Sequence, residues 1–158
     1  MPKARRTWIM VADAAQARFF INEGGQLRPH DEASLDDPTA HVRSHDLVSD
    51  RPGRTMESVG SAHHAEEPRV DPHRAAKAAF AKRVADFVEK SAIEEKFDDL
   101  FVVAPPQMLG DLRSALGRHS AARLVGTAPK DLTKIPTAEL KAHLQPLLTA
   151  GGRHGASG

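Results

Sequence analysis

The chain contains no cysteine and no tyrosine, and only one tryptophan and six phenylalanines among its 158 residues. The lack of cysteine excludes disulfides, thiolate nucleophiles and thiolate metal sites, and it fits a reducing compartment. With so few aromatics, aliphatic residues and alanine must fill a modest core. Neither sign of charge dominates: 22 Lys and Arg stand against 21 Asp and Glu, for a formal charge of +1. This is not the broadly basic body of a general nucleic-acid coat protein, and no DNA partner is expected; any nucleic-acid contact must be local. No apolar run approaches the roughly 20 residues of a membrane span. The N-terminal segment is basic and then apolar, but its apolar run stops at Asp13, too soon for a secretory signal, and it reads as a strand. The expectation is a cytoplasmic protein with no membrane partner.

What is present follows two periodicities. Residues 7–12 form a short β-branched and aromatic run ended by Asp13-Ala14-Ala15, the pattern of a buried strand entering a turn. A second strand follows over residues 16–22. Glu23-Gly24-Gly25 then signals a turn into a third strand from Leu27, completing an antiparallel meander. Over residues 36–72 the apolar periodicity disappears among prolines, glycines, charges and four histidines. That pattern predicts one long flexible loop, the first place to look for activity.

Pro72 opens a helix to about Lys90, with Ala76, Phe80, Val84, Phe87 and Val88 on one side. Residues 99–104, with Leu100-Phe101-Val102-Val103, predict a fully buried parallel strand. Pro105-Pro106 ends it before a helix over residues 107–116 whose inner face is Met108, Leu109, Leu112 and Leu116, with Gly117 as its C′ residue. A weaker strand is expected over residues 123–128. Ile135-Pro136-Thr137 then leads into a helix carrying Leu140, Leu144, Leu147 and Leu148, which Pro146 should end or kink. Residues 151–158 have nothing to bury and read as a disordered tail. The order implies one α/β domain over residues 1–150, in which a mixed sheet begins as an antiparallel meander and continues as βαβα units in two or three layers.

At this point the residues carry a resemblance. A first strand ending Val11-Ala12-Asp13, a second with Ala17-Arg18-Phe19-Phe20, a Pro/Gly/His-rich loop, a helix opening Asp71-Pro72-His73, and Leu100-Phe101-Val102-Val103-Ala104-Pro105-Pro106 together resemble the host attachment protein family. That family is described as a bacterial branch of release-factor-like proteins, similar to the middle domain of archaeal and eukaryotic class-1 release factors. The resemblance covers roughly residues 7–148. It implies an RNase H-like fold and a role in translation, with the ribosome or tRNA as partner.

Gly24-Gly25-Gln26 spells the tripeptide that release factors use for ester hydrolysis. In the release factors it lies in the loop before the long helix, which corresponds here to residues 36–72. In this chain it falls between two strand candidates, where paired glycines supply the positive φ values of a tight turn. The corresponding loop has no Gly-Gly-Gln, so binding without peptide release is the better expectation.

That loop instead offers Arg43, Arg51, Arg54 and Arg69, with His63 and His64, as an RNA- or ribosome-binding set; planar guanidinium forks suit phosphate. The competing reading is a solvated polar loop, because Asp36, Asp37, Asp46, Asp50, Glu57, Glu66 and Glu67 offset the charge. His63, His64, His73, Glu66 and Asp71 are of metal-binding types, but their spacing fixes no ligand geometry, so neither metal nor cofactor is expected. Asp13 invites comparison with metal-dependent nucleases if Asp98 and Asp99 approach it across the sheet; a turn aspartate bonding backbone explains it more simply.

Three functions compete. The leading one is a non-catalytic ribosome- or tRNA-associated binding module. The others are a peptidyl-tRNA or RNA hydrolase using Gly24-Gly25-Gln26 or Asp13, and a protein-interaction factor in attachment or stress physiology. Composition and pattern leave the oligomeric state open.

Overall fold

A computed structural model describes residues 4–40 and 72–157 of the chain, with side chains through Thr149. Among these residues the apolar alternation builds a mixed sheet. Strand β1 (Arg6–Ala12) pairs antiparallel with β2 (Gln16–Glu23) along its whole length, from Arg6 opposite Glu23 to Ala12 opposite Ala17. β2 turns through Gly24 and Gly25 into β3 (Gln26–Pro29), and Glu23 faces Gln26. The two glycines have φ +61° and +84°. A two-residue hairpin needs left-handed backbone at both positions to match strand twist, which is why glycine stands at both. After a single turn of 3-10 helix (Asp31–Ala33), a two-residue β4 (Leu35–Asp36) returns to the outer edge of β2 at Ala17 and Gln16.

The second half crosses to the other side of β1. Helix α1 (Pro72–Ile93) leads into β5 (Asp99–Val103), which lies parallel to β1 with Thr7 beside Asp99 and Val11 beside Val103. Helices α2 (Pro106–Ala115) and α3 (Arg118–Ala122) then lead to β6 (Leu124–Ala128), parallel to β5. The strand order is β3-β2-β1-β5-β6, with β4 attached to β2. The last helix, α4, spans Thr137–Ser157. Pro146 lies inside it rather than at its end, so the helix loses the hydrogen bond from that position without stopping, and its backbone runs into the segment that the sequence reads as a tail.

Period-2 alternation divides the core into two layers. Trp8, Met10, Phe19, Ile21, Leu100 and Val102 face Phe80, Val84 and Val88 of α1 and Met108, Leu109 and Leu112 of α2. Ile9, Val11, Phe20, Phe101 and Val103 face Leu140 and Leu144 of α4. The sheet is therefore the middle of three layers, and each fully buried Phe or Leu contributes about 1.5–3 kcal/mol relative to exposure. The scarce aromatics are concentrated: the Trp8 ring lies 4.8 Å from Phe97, 5.6 Å from Phe19 and 6.2 Å from Phe87.

Gly117 differs from its expected role. Leu116 caps α2 with φ −59° and Gly117 precedes α3 with φ −77°, so there is no left-handed cap. Glycine there leaves room for Glu89, because a Cβ would fall 2.3 Å from its carboxyl carbon and the side chain would have to shift.

Candidate binding site at the carboxyl edge of the sheet

β1 and β5 run side by side in the same direction, yet the chain leaves β1 toward β2 and leaves β5 toward α2 and β6. Such a divergence opens a crevice beyond the carboxyl ends of the strands. Here the crevice is a cleft of about 310 Å³ between the turn after β1, the first turns of α1 and α2, and the segment after β6.

One wall is fixed by Asp13. Its Oδ1 accepts from the backbone N–H of Ala15 and of Gln16, both at 2.8 Å, and its Oδ2 accepts from Thr133 Oγ1 at 2.6 Å. Thr133 is buried, and the more distant Asp131 Oδ1, at 3.2 Å, competes weakly for its single hydroxyl proton. Arg18 fastens the same segment from β2. Its Nη1 donates to the carbonyls of Thr133 (3.0 Å) and Ile135 (2.8 Å), and its Nη2 donates to Thr137 Oγ1 at 2.9 Å. Asp13 and Arg18 thus hold the entry to α4 against the meander, and both Asp13 oxygens are engaged.

The opposite wall comes from two helices. Arg74 and Lys77, three apart on α1, share a face. α2 begins at Pro106 without a side-chain cap and directs its first turn, with Gln107 and Met108, at the cleft. Arg74 Nη2 donates to Asp111 Oδ1 of α2, and this bond raises the guanidinium pKa further above its ordinary value. Arg74 Nη1 and Asp111 Oδ2 are buried without a hydrogen-bond partner among the described residues. Lys77 has no ion pair among them.

The residues singled out in the sequence are dispersed. The Gly24-Gly25 turn follows the end of β2 that pairs with Arg6, whereas Asp13 follows the other end of β1, roughly 20 Å away at about 3.3 Å per residue. Gln26 is exposed in its hairpin. Asp98 and Asp99 cannot gather with Asp13, because parallel register places Asp99 beside Thr7 at the far end of the strand. There Asp99 accepts from Arg5 at 2.7 and 2.9 Å, and Asp98 accepts from the Arg6 backbone N–H at 2.8 Å. Arg43, Arg51, Arg54, His63, His64 and Arg69 lie outside the described residues. Among the described residues no three His, Asp or Glu side chains are placed to hold a metal ion. Likewise, no described helix is long and apolar enough to cross a membrane.

Sequence reasoning missed Arg74, Lys77, Asp111 and Asp131. The available signal was topological: polar residues in the first turns of helices that flank adjacent parallel strands converge on the crevice between them.

A second polar cluster is structural. Glu89 of α1 accepts from the backbone N–H groups of His119 (3.1 Å) and Ser120 (2.9 Å), from His119 Nδ1 (2.7 Å) and from Ser120 Oγ (2.6 Å). Burial pushes this carboxyl up, and the bonds from Ser120 and His119 outweigh it, bringing the pKa down to about 2. The carboxylate caps the start of α3 and ties it to α1.

No curated protein matches the chain. The family model described as protein required for attachment to host cells matches residues 8–144, from the third residue of β1 through the buried leucines of α4, and so spans both walls of the cleft. With that match over most of its length, the chain belongs to the family of proteins required for attachment to host cells.

Proposed function

We propose that this chain is a non-catalytic, release-factor-like binding module that engages the ribosome or tRNA in the cytoplasm. The observation that carries the reading is the carboxyl-edge cleft. Asp13, the catalytic candidate from the sequence that lines it, is engaged in three hydrogen bonds, while Arg74, Lys77 and the uncapped start of α2 line the open space. The strand order β3-β2-β1-β5-β6, an antiparallel meander followed by two parallel strands, supports the RNase H-like, release-factor-type expectation. The placement of Gly24-Gly25-Gln26 in a tight hairpin favours binding over peptide release. Arg43, Arg51, Arg54 and Arg69 are proposed as further phosphate contacts on sequence grounds.

The test is to incubate the purified chain with peptidyl-tRNA and with ribosomes carrying it. Retention of peptidyl-tRNA or ribosomes without release of peptide is expected. Peptide release that disappears in Gln26→Ala or Asp13→Asn would establish the hydrolase instead. Specific capture of a protein with no dependence on RNA would favour the interaction factor that the family description suggests.

A further inference from the structure

Resting on the RNA-binding reading, we infer that the cleft is a pocket for a single unpaired nucleotide, read through the Arg74–Asp111 pair. That pair is joined by a single hydrogen bond. A guanidinium and a carboxylate commonly meet through two parallel hydrogen bonds. Here only Nη2 and Oδ1 are joined, and the remaining donor, Arg74 Nη1, and acceptor, Asp111 Oδ2, have no partner among the described residues. Leaving both unsatisfied is costly, so a small opening of the pair that presents them to a ligand is favoured by whatever satisfies both. A planar edge that carries both an acceptor and a donor can satisfy the two together. Every nucleobase carries that arrangement on its pairing edge, and only an unpaired base exposes it.

The rest of the cleft agrees. Ala14, Pro105 and Met108 line it, giving an apolar wall against which a ring can lie. Lys77 stands one turn along α1 from Arg74 and supplies one cation for one phosphate. Charge alone does not hold the ligand: Arg74 and Lys77 face Asp13, Asp111 and Asp131, an excess of one carboxylate that disfavours a polyphosphate. A volume of about 310 Å³ is at the small end of ligand pockets, too small for a duplex.

The experiment is calorimetric titration of the full chain with the four nucleoside 5′-monophosphates, the nucleosides, ribose 5-phosphate, and short single-stranded and duplex RNA. At least one monophosphate should bind saturably at one site, and Asp111→Ala should weaken it about tenfold or more, as losing a hydrogen bond to a charged group does. Lys77→Ala, a change at a half-buried cleft side chain with no ion pair among the described residues, should weaken the monophosphate several-fold and leave the nucleoside unchanged, a split that a merely structural role would not give. Equal affinity for monophosphate and single strand identifies a free nucleotide as the ligand, and much tighter binding of the strand identifies a strand end. Ribose 5-phosphate binding as well as the nucleotides, or no nucleotide or strand binding at all, would overturn the inference. Ribosome or tRNA binding that Asp111→Ala leaves untouched would also overturn it while the proposed function stands; nucleotide binding without ribosome or tRNA binding would do the reverse.

Discussion

Thr133 Oγ1 donates to Asp13 Oδ2 at 2.6 Å, joining positions 120 residues apart. Through this bond and those from Ala15 and Gln16, one carboxylate closes the β1–β2 turn and also fixes the segment between β6 and α4. Asp13→Ala strips acceptors from a buried hydroxyl and two backbone N–H groups. It should lower unfolding free energy by about 2 kcal/mol, with Thr133→Val costing about 1 kcal/mol. Urea denaturation should show the double variant losing less than the sum of the two, because the residues share one bond.

Gly117 and Glu89 form a second testable pair. Gly117→Ala drives a methyl group into the Glu89 carboxylate and should cost about 1–3 kcal/mol, as overpacking does. Measured in a Glu89→Ala background, the same substitution should cost much less, since the obstructing atoms are gone.

The Glu89 carboxyl also sets a pH dependence. Its folded pKa, about 2, lies below its ordinary 4.5, so the charged form stabilises the fold fully above about pH 4.5 and that contribution is lost as pH falls toward 2. Melting curves from pH 6 to pH 2 should show wild type converging on Glu89→Gln, with the two well separated at pH 6.

Gly24→Ala and Gly25→Ala place a Cβ on left-handed backbone and should each cost about 1–2 kcal/mol. Gln26→Ala, on an exposed hairpin position, should change stability by no more than about 0.5 kcal/mol. Ribosome or tRNA binding by Gln26→Ala should match wild type.

Much of this architecture was legible because burial imposes a period. Trp8, Met10 and Ala12 alternate with Ile9 and Val11, and the structure sends the two sets to opposite faces of the sheet. Phe80, Val84 and Val88 mark the inner face of α1 by the same logic at helical spacing. The elements that escaped are those without a repeat. Helix α3, Arg118–Ala122, is a five-residue turn whose start depends on Glu89, a partner about 30 residues earlier. β4 has two residues and exists only because β2 has a free edge. Gly117 looked like a helix stop, whereas its reason is a carboxylate on another helix. The cleft was illegible for the same cause: Asp13, Arg74, Asp111 and Asp131 become neighbours only when β5 is placed beside β1.

We propose that the carboxyl-edge cleft is where this protein meets RNA. The most direct measurement is cosedimentation with ribosomes, and filter binding of tRNA, across a salt series for wild type, Lys77→Glu and Lys82→Glu. Lys82 is exposed and already bonded to Asp86 on the same helix, so it controls for charge alone. The account predicts saturable binding at physiological salt that Lys77→Glu weakens markedly, with a shallower salt slope, while Lys82→Glu behaves as wild type. Equal loss in both variants, or no saturable binding by wild type, would contradict it.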